Sequence, residues 1–97
     1  ITKYIVKVKN QNSGFILIKL YKDINNKKIC LIKDFFIEKK FRRKNIGIDS
    51  IKSLMKILKN KKISLIKINI LSNNKSAKNF WLNFKLKQEL ISYKIKF

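Results

Sequence analysis

The chain has 97 residues and a formal charge of +20, from 25 Lys and Arg against five Asp and Glu, with no His and one Cys. A chain of this length buries roughly two-thirds of its surface around one core, so a single domain over residues 1–97 is expected. Without His and with one Cys, a zinc centre, a disulfide framework and Ser-His-Asp or Cys-His catalysis are excluded, and no metal is expected.

An apolar fraction of 45% is too high for a disordered basic tail. No apolar run approaches the ~18 residues of a membrane span, and no signal-peptide pattern opens the chain. The expectation is a soluble, cytoplasmic, basic α/β domain without a membrane partner. Lys, Ile and Asn make up 52 of the 97 residues. That bias is what A+T-rich coding produces, so the lysine surplus is not by itself evidence of a binding surface.

Residues 2–8 read as a half-buried strand, with Tyr4, Val6 and Val8 alternating against Lys3 and Lys7. Asn10 to Gly14 reads as a turn, because Asn and Gly tolerate positive φ. Phe15–Tyr21 is an inner strand, apolar on both faces. Asp23–Lys28 is a polar loop and Ile29–Ile37 a third strand, which predicts an antiparallel meander. The period then changes. Ile48, Ile51, Leu54, Met55 and Leu58 fall at spacings of three and four, the stripe of an amphipathic helix. Ile63–Ile70 is another strand, and a second helix starts at the N-cap Asn74 with Ala77, Phe80, Trp81 and Phe84 on one face. A last strand places Ile91, Tyr93, Ile95 and Phe97 inward, for an order of β-β-β-α-β-α-β.

The chemistry concentrates between the third strand and the first helix, in Phe35-Phe36-Ile37-Glu38-Lys39-Lys40-Phe41-Arg42-Arg43-Lys44-Asn45-Ile46-Gly47-Ile48. The first amides of a helix lack intrahelical acceptors and, with the helix dipole, form an anion site. Arg42, Arg43 and Lys44 add charge there. Asn45 serves either as N-cap or as a residue that accepts left-handed geometry, and Gly47 leaves room for a phosphate to approach the backbone.

Ile37-x-x-x-Phe41-Arg42-Arg43-Lys44-Asn45-Ile46-Gly47 resembles motif A of the GNAT superfamily of acyl-CoA N-acyltransferases. Asn74-Lys75-Ser76-Ala77-Lys78-Asn79-Phe80-Trp81 is similar to motif B of the same family. The Phe-Trp wording is closest to a branch of predicted acetyltransferases. The resemblance covers nearly the whole chain and implies a mixed, largely antiparallel sheet. Two positions depart from the pattern: Asn45 replaces the first motif Gly, and Lys85 the Gly that usually follows motif B. The family's first strand and first two helices have no counterpart before Ile1, so an N-terminally incomplete domain is expected.

The resemblance implies acetyl-CoA as co-substrate, lying in a gap between the third and fourth strands. Its diphosphate would rest on the backbone of Arg43 to Ile48, with Arg42 and Lys44 adding charge, and motif B (Asn74, Ala77, Phe80, Trp81) would border it. The backbone of Phe36, Ile37 and Glu38 would hold the pantetheine arm and polarise the thioester carbonyl. A primary amine would attack directly after losing its proton to a carboxylate, for which Asp34 and Glu38 are the candidates. Asp34, if buried among Phe35 and Phe36, would have its pKa raised into a useful range; a surface carboxylate is the plain alternative. Where many relatives carry a Tyr acid stands Trp81, which donates a hydrogen bond but no proton. Tyr93 is a candidate replacement, though its apolar neighbours suit core packing, and Cys30 reads as a small buried apolar residue.

Two other readings stay open. One is a basic nucleic-acid-binding module, less favoured because no nucleic-acid motif is present and the lysines spread along the whole chain. The other is a GNAT-like domain that binds CoA or a partner without catalysis. The acceptor and the oligomeric state, a dimer included, are not legible in the sequence.

Overall fold

The computed structural model describes residues 1–42, 45–70 and 73–84. Four strands, β1 (Thr2–Val8), β2 (Gln11–Lys22), β3 (Lys28–Ile37) and β4 (Leu65–Ile68), form one sheet in the order β1-β2-β3-β4. The first three pair antiparallel, and β4 adds to β3 in parallel through the crossover helix α1 (Ile46–Asn60). A shorter helix, α2 (Lys75–Trp81), follows β4. This is the expected meander, helix, strand and helix. The fourth strand is four residues long rather than the eight of Ile63–Ile70. The proposed last strand lies outside the described residues.

The first hairpin turns earlier than the sequence suggested. Lys9 and Asn10 both take positive φ (47° and 66°), the pair of left-handed residues that a two-residue type I′ turn requires. Gln11 to Gly14 therefore joins β2 instead of forming the loop. The ladder absorbs the extra residue as a bulge at Ser13, between the Val6↔Gly14 and Lys7↔Asn12 pairs. Ser13 is fully buried, and its Oγ donates to the Val6 carbonyl at 3.0 Å. Gly14 is obligatory beside it: a Cβ built there would stand 2.0 Å from the Phe36 carbonyl oxygen, which is backbone and cannot yield.

A second bulge lies in β3. Leu17 pairs with Asp34 but Ile18 with Ile32, so Lys33 is the unpaired extra residue. A bulge reverses which alternate side chains face the core. Cys30 and Ile32 point to the helix side before it, and Phe35 and Ile37 after it; Asp34 and Phe36 turn to the opposite face. Pairing with β4 runs only from Ile29↔Leu65 to Ile32↔Ile68, so it stops at the bulge while β3 continues to Ile37.

The core sits between the sheet and α1. Ile51, Leu54 and Leu58 on α1 are each 2% exposed and cover Ile16, Ile18, Cys30 and Ile32. Each such side chain contributes about 1.5–3 kcal/mol by leaving water. Met55 and Ile57, one of them counted in the predicted stripe, lie on the exposed side of the helix. The helix closes in a Schellman arrangement: Ile63 N–H bonds the Leu58 carbonyl at 3.0 Å and Lys62 N–H the Lys59 carbonyl at 3.0 Å. Lys62 takes the left-handed position (φ 60°) usually given to Gly. Among the described residues, no helix is long and apolar enough to cross a membrane.

The two positions give opposite expectations. Lys62→Gly relieves a left-handed side chain and is expected to raise the unfolding midpoint, by up to about 1 kcal/mol of stability. Gly14→Ala is expected to cost more than about 3 kcal/mol or abolish folding, since backbone must move. Thermal melts followed by circular dichroism check both.

Candidate functional site

The site is built where β3 outruns its partner. In an antiparallel strand, alternate residues turn their backbone groups to alternate sides. Glu38 N–H donates to the Ser13 carbonyl at 2.7 Å, so Glu38 faces β2. By alternation Phe36 does too, and Ile37 faces away from β2 into the space where β4 is no longer paired. The Ile37 carbonyl accepts from Arg42 Nε at 2.8 Å. Of the three residues expected to present backbone to a pantetheine arm, Ile37 alone turns its amide to the gap. Phe36 and Glu38 spend theirs within the sheet.

The turn after β3 is a short 3-10 segment, Lys39–Phe41, that buries Phe41 under the chain reversal. Arg42 folds back across the Phe36 ring, its guanidinium carbon 5.6 Å from the centroid, while Nε holds the Ile37 carbonyl. Arg43 and Lys44 lie outside the described residues. Asn45 occupies the N-cap position of α1 in left-handed geometry (φ 59°, ψ 10°), and its side chain makes no capping bond. Both readings of Asn45 thus meet in one residue: its backbone caps by position, and its carbonyl takes the Asp49 N–H at 2.9 Å. Ile46, Gly47 and Ile48 are the first three helical residues, whose amides have no acceptor within the helix. No described side chain caps them, so the helix N-terminus offers donors and positive dipole to an anion.

Gly47 is also required by packing. A Cβ there would stand 2.9 Å from Phe80 Cε1 and 3.7 Å from Phe35 Cζ. The absent side chain makes room for an aromatic ring of α2.

That ring belongs to a cluster. Phe80 meets Trp81 edge-on at 4.9 Å, Phe35 at 5.6 Å and Phe84 at 5.8 Å. Trp81 is 6% exposed and packs on Phe35 and Phe84, so it belongs to the core. Ala77 is half-buried against the same core. Asn74 is the N-cap of α2, as expected; its Oδ1 accepts from the Ala77 N–H at 3.0 Å. Motif B thus ties α2 to the start of α1 and to the unpaired end of β3.

The two carboxylates are exposed. Asp34 Oδ1 accepts the neighbouring Phe35 N–H at 2.9 Å on the face away from the helices. Of the two readings of Asp34, the structure has the surface carboxylate, because the Lys33 bulge turns it outward. Glu38 is exposed at the end of the strand. Cys30 is fully buried, and burial pushes its thiol pKa up, which suits packing and not nucleophilic attack. A separate concavity of about 420 Å³ opens between β1 and α1, lined by Tyr4, Val6, Ser53 and Leu54 among others. With the turn into α1 it shares Ile46 and Asp49.

The Lys33 bulge went unseen in the sequence, although two adjacent polar residues, Lys33 and Asp34, interrupt the alternation and mark it. Ser13 was likewise read as part of a turn, and nothing in its neighbours signals a fully buried hydroxyl.

A sequence profile described as the Acetyltransferase (GNAT) family matches residues 2–84. The chain belongs to this family. No curated protein sequence matches it significantly. Solved structures share its fold at low identity. An aminoglycoside acetyltransferase from an uncultured soil metagenomic sample, in complex with sisomicin, superposes with a TM-score of 0.82 at 13% identity, over 98% of this chain and 64% of that one. A ribosomal-protein-alanine N-acetyltransferase from Brucella melitensis biovar Abortus 2308 gives 0.80 at 14%, covering 98% and 70%. The aminoglycoside N-acetyltransferase AAC(6')-Iy in complex with CoA gives 0.75 at 15%, covering 97% and 75%. This chain therefore spans under two-thirds of the length of the first of these. These likenesses establish the fold.

The Gly47–Phe80 contact makes a checkable demand. Gly47→Leu is expected to lower stability by about 1–3 kcal/mol through overpacking. Combining it with Phe80→Ala should recover part of that loss, as contacting residues couple. Denaturant titration of the single and double variants measures it.

Proposed function

We propose that the chain is an acetyl-CoA-dependent N-acetyltransferase that moves the acetyl group to a primary amine by direct attack. The observation that carries this reading is the juxtaposition of two sets of donors. The uncapped first turn of α1 offers the amides of Ile46, Gly47 and Ile48, and the Ile37 amide faces the gap beyond the last β3–β4 pair. A diphosphate on the first and a thioester carbonyl at the second would lay the pantetheine arm along the unpaired edge of β3.

In that arrangement the Ile37 N–H would stabilise charge developing on the thioester oxygen. The free pair of electrons on the amine forms the new C–N bond, the C–S bond breaks, and the thiolate leaves with CoA. A thiol titrates near about 8.5, so water can protonate the departing sulfur without a side-chain acid. This is consistent with a buried Trp81 where many relatives have Tyr. The amine must first lose a proton, and Glu38, exposed at the end of β3 beside Ile37, is nearer by sequence to the proposed carbonyl site than Asp34. Asp34 sits on the strand face away from α1, exposed, and would act through water. Arg42 has its terminal nitrogens left over for a phosphate, beyond the Nε that holds the Ile37 carbonyl.

Two measurements test the reading. Acetyl-CoA is expected to bind with micromolar affinity and raise the melting temperature, while acetyl-pantetheine, which lacks the diphosphate, should bind at least ~100-fold more weakly. Each lost charge-assisted bond is worth about 1.5–3 kcal/mol. Equal affinities by calorimetry would refute the diphosphate assignment. In a thiol-release assay with an amine acceptor, Glu38→Gln should cut turnover at least ~100-fold with acetyl-CoA affinity unchanged, and Asp34→Asn should cut it less. The reverse order would move the base to Asp34.

A further inference from the structure

Arg42 makes two contacts that phosphate binding does not require. Its Nε donates to the Ile37 carbonyl at 2.8 Å in a part-buried bond, and its guanidinium carbon lies 5.6 Å from the Phe36 centroid. Its backbone is fixed as well, since the Arg42 N–H bonds the Lys39 carbonyl at 3.2 Å.

The bond to Ile37 falls where β3 has lost a partner. A strand residue sends its N–H and its carbonyl to the same side. Had β4 run on beyond the Ile32↔Ile68 pair, both groups of Ile37 would face it. Arg42 Nε stands in for the missing donor to the carbonyl and leaves the N–H open. The next amide is occupied from the other side, with Glu38 N–H donating to the Ser13 carbonyl at 2.7 Å. The peptide joining Ile37 to Glu38 is therefore gripped at both ends, by Ser13 in β2 and by Arg42 in the turn.

We propose that Arg42 is a positioning residue for acyl transfer, and that its Nε–H rather than its charge orients the Ile37 amide and Glu38. The proposal rests on the reading above, in which Ile37 N–H receives the thioester oxygen and Glu38 takes the amine proton. Two physical consequences follow from the bond. Without it the Ile37 carbonyl would be an unsatisfied acceptor on the side of the open N–H. Its lone pairs would then oppose the negative charge that develops on the thioester oxygen. The peptide would also be held at one end only, and a misplacement of about 1 Å can cost ~100-fold in rate. The guanidinium thus divides its work by atom: Nε serves the acyl end, and the terminal nitrogens stay free for the diphosphate. The Phe36 ring backs the guanidinium while both are engaged.

Two neutral replacements of equal reach separate these tasks. Gln places an N–H donor where Arg carries Nε, and Met places a methyl group there. Both remove the charge and the terminal nitrogens. Acetyl-pantetheine lacks the diphosphate, so phosphate contacts do not enter its turnover. In a thiol-release assay with an amine acceptor, Arg42→Met should lower kcat/KM for acetyl-pantetheine at least ~10-fold. Arg42→Gln should stay within ~3-fold of the unaltered chain. With acetyl-CoA both variants should raise KM alike, at least ~10-fold, and Arg42→Met alone should also lower kcat. Without substrate, the NMR resonance of the Ile37 carbonyl carbon should move in Arg42→Met and hold in Arg42→Gln. Equal acetyl-pantetheine turnover in all three proteins would overturn the proposal and leave Arg42 a phosphate ligand alone. Equal losses in the two variants would overturn it too, assigning the effect to the charge. An Ile37 carbonyl resonance unmoved in Arg42→Met would have the same force. Absence of thiol release from acetyl-CoA by the unaltered chain is a separate outcome: it would refute the acyl-transfer reading, and the proposal with it.

Discussion

One extra residue in β3 governs the molecule. Without Lys33 unpaired, Asp34 and Phe36 would follow Cys30 and Ile32 into the core, and Phe35 and Ile37 would face outward. With it, Phe35 joins Phe80, Trp81 and Phe84 on the helix side, and Ile37 is buried beside the turn into α1. The same residue marks the end of pairing between β3 and β4. A continuous ladder would have used the Ile37 amide in a strand–strand bond. The bulge leaves it available, and supplies a gap in the sheet where a substrate could lie.

The surroundings hold that opening in place. Ser13 fixes the end of β3 twice, through its carbonyl to Glu38 N–H and its hydroxyl to Val6. Gly14 lets the two backbones approach, and Arg42 ties the turn back to the Ile37 carbonyl. On the other side Phe80 seats on Gly47, so α2 and the first turn of α1 are set at a fixed distance. These are short, specific contacts around a strand end that is paired on one side only. Open backbone persists in a small domain when its neighbours are over-determined in this way.

The sequence made much of this legible. Strands at period two and helices at period 3.6 are set by which side is dry, and the two motifs sit on the elements expected. Asn74 caps α2 as its side chain dictates. What could not be read arises where a residue acts through geometry that its type does not imply. Lys9 and Lys62 take left-handed angles that Lys disfavours, so the turn at Lys9-Asn10 was placed too late. Alternation alone leaves Asp34 open between a buried and a surface carboxylate, and the bulge decides for the surface. The contact of Gly47 with the Phe80 ring depends on how α2 packs, which the residue type does not imply. At Lys9, Lys62 and Asp34 a backbone departure of one residue changed what the side chains do.

The account turns on the Ile37 amide and the first turn of α1 meeting one ligand. An amide-resolved NMR titration with acetyl-CoA tests this directly. The account predicts that the largest shifts fall on the amides of Ile37, Ile46, Gly47 and Ile48, saturating together, with Tyr4 and Val6 of β1 unmoved. Shifts confined to the cleft between β1 and α1, with the Ile37 amide unchanged at saturation, would contradict it.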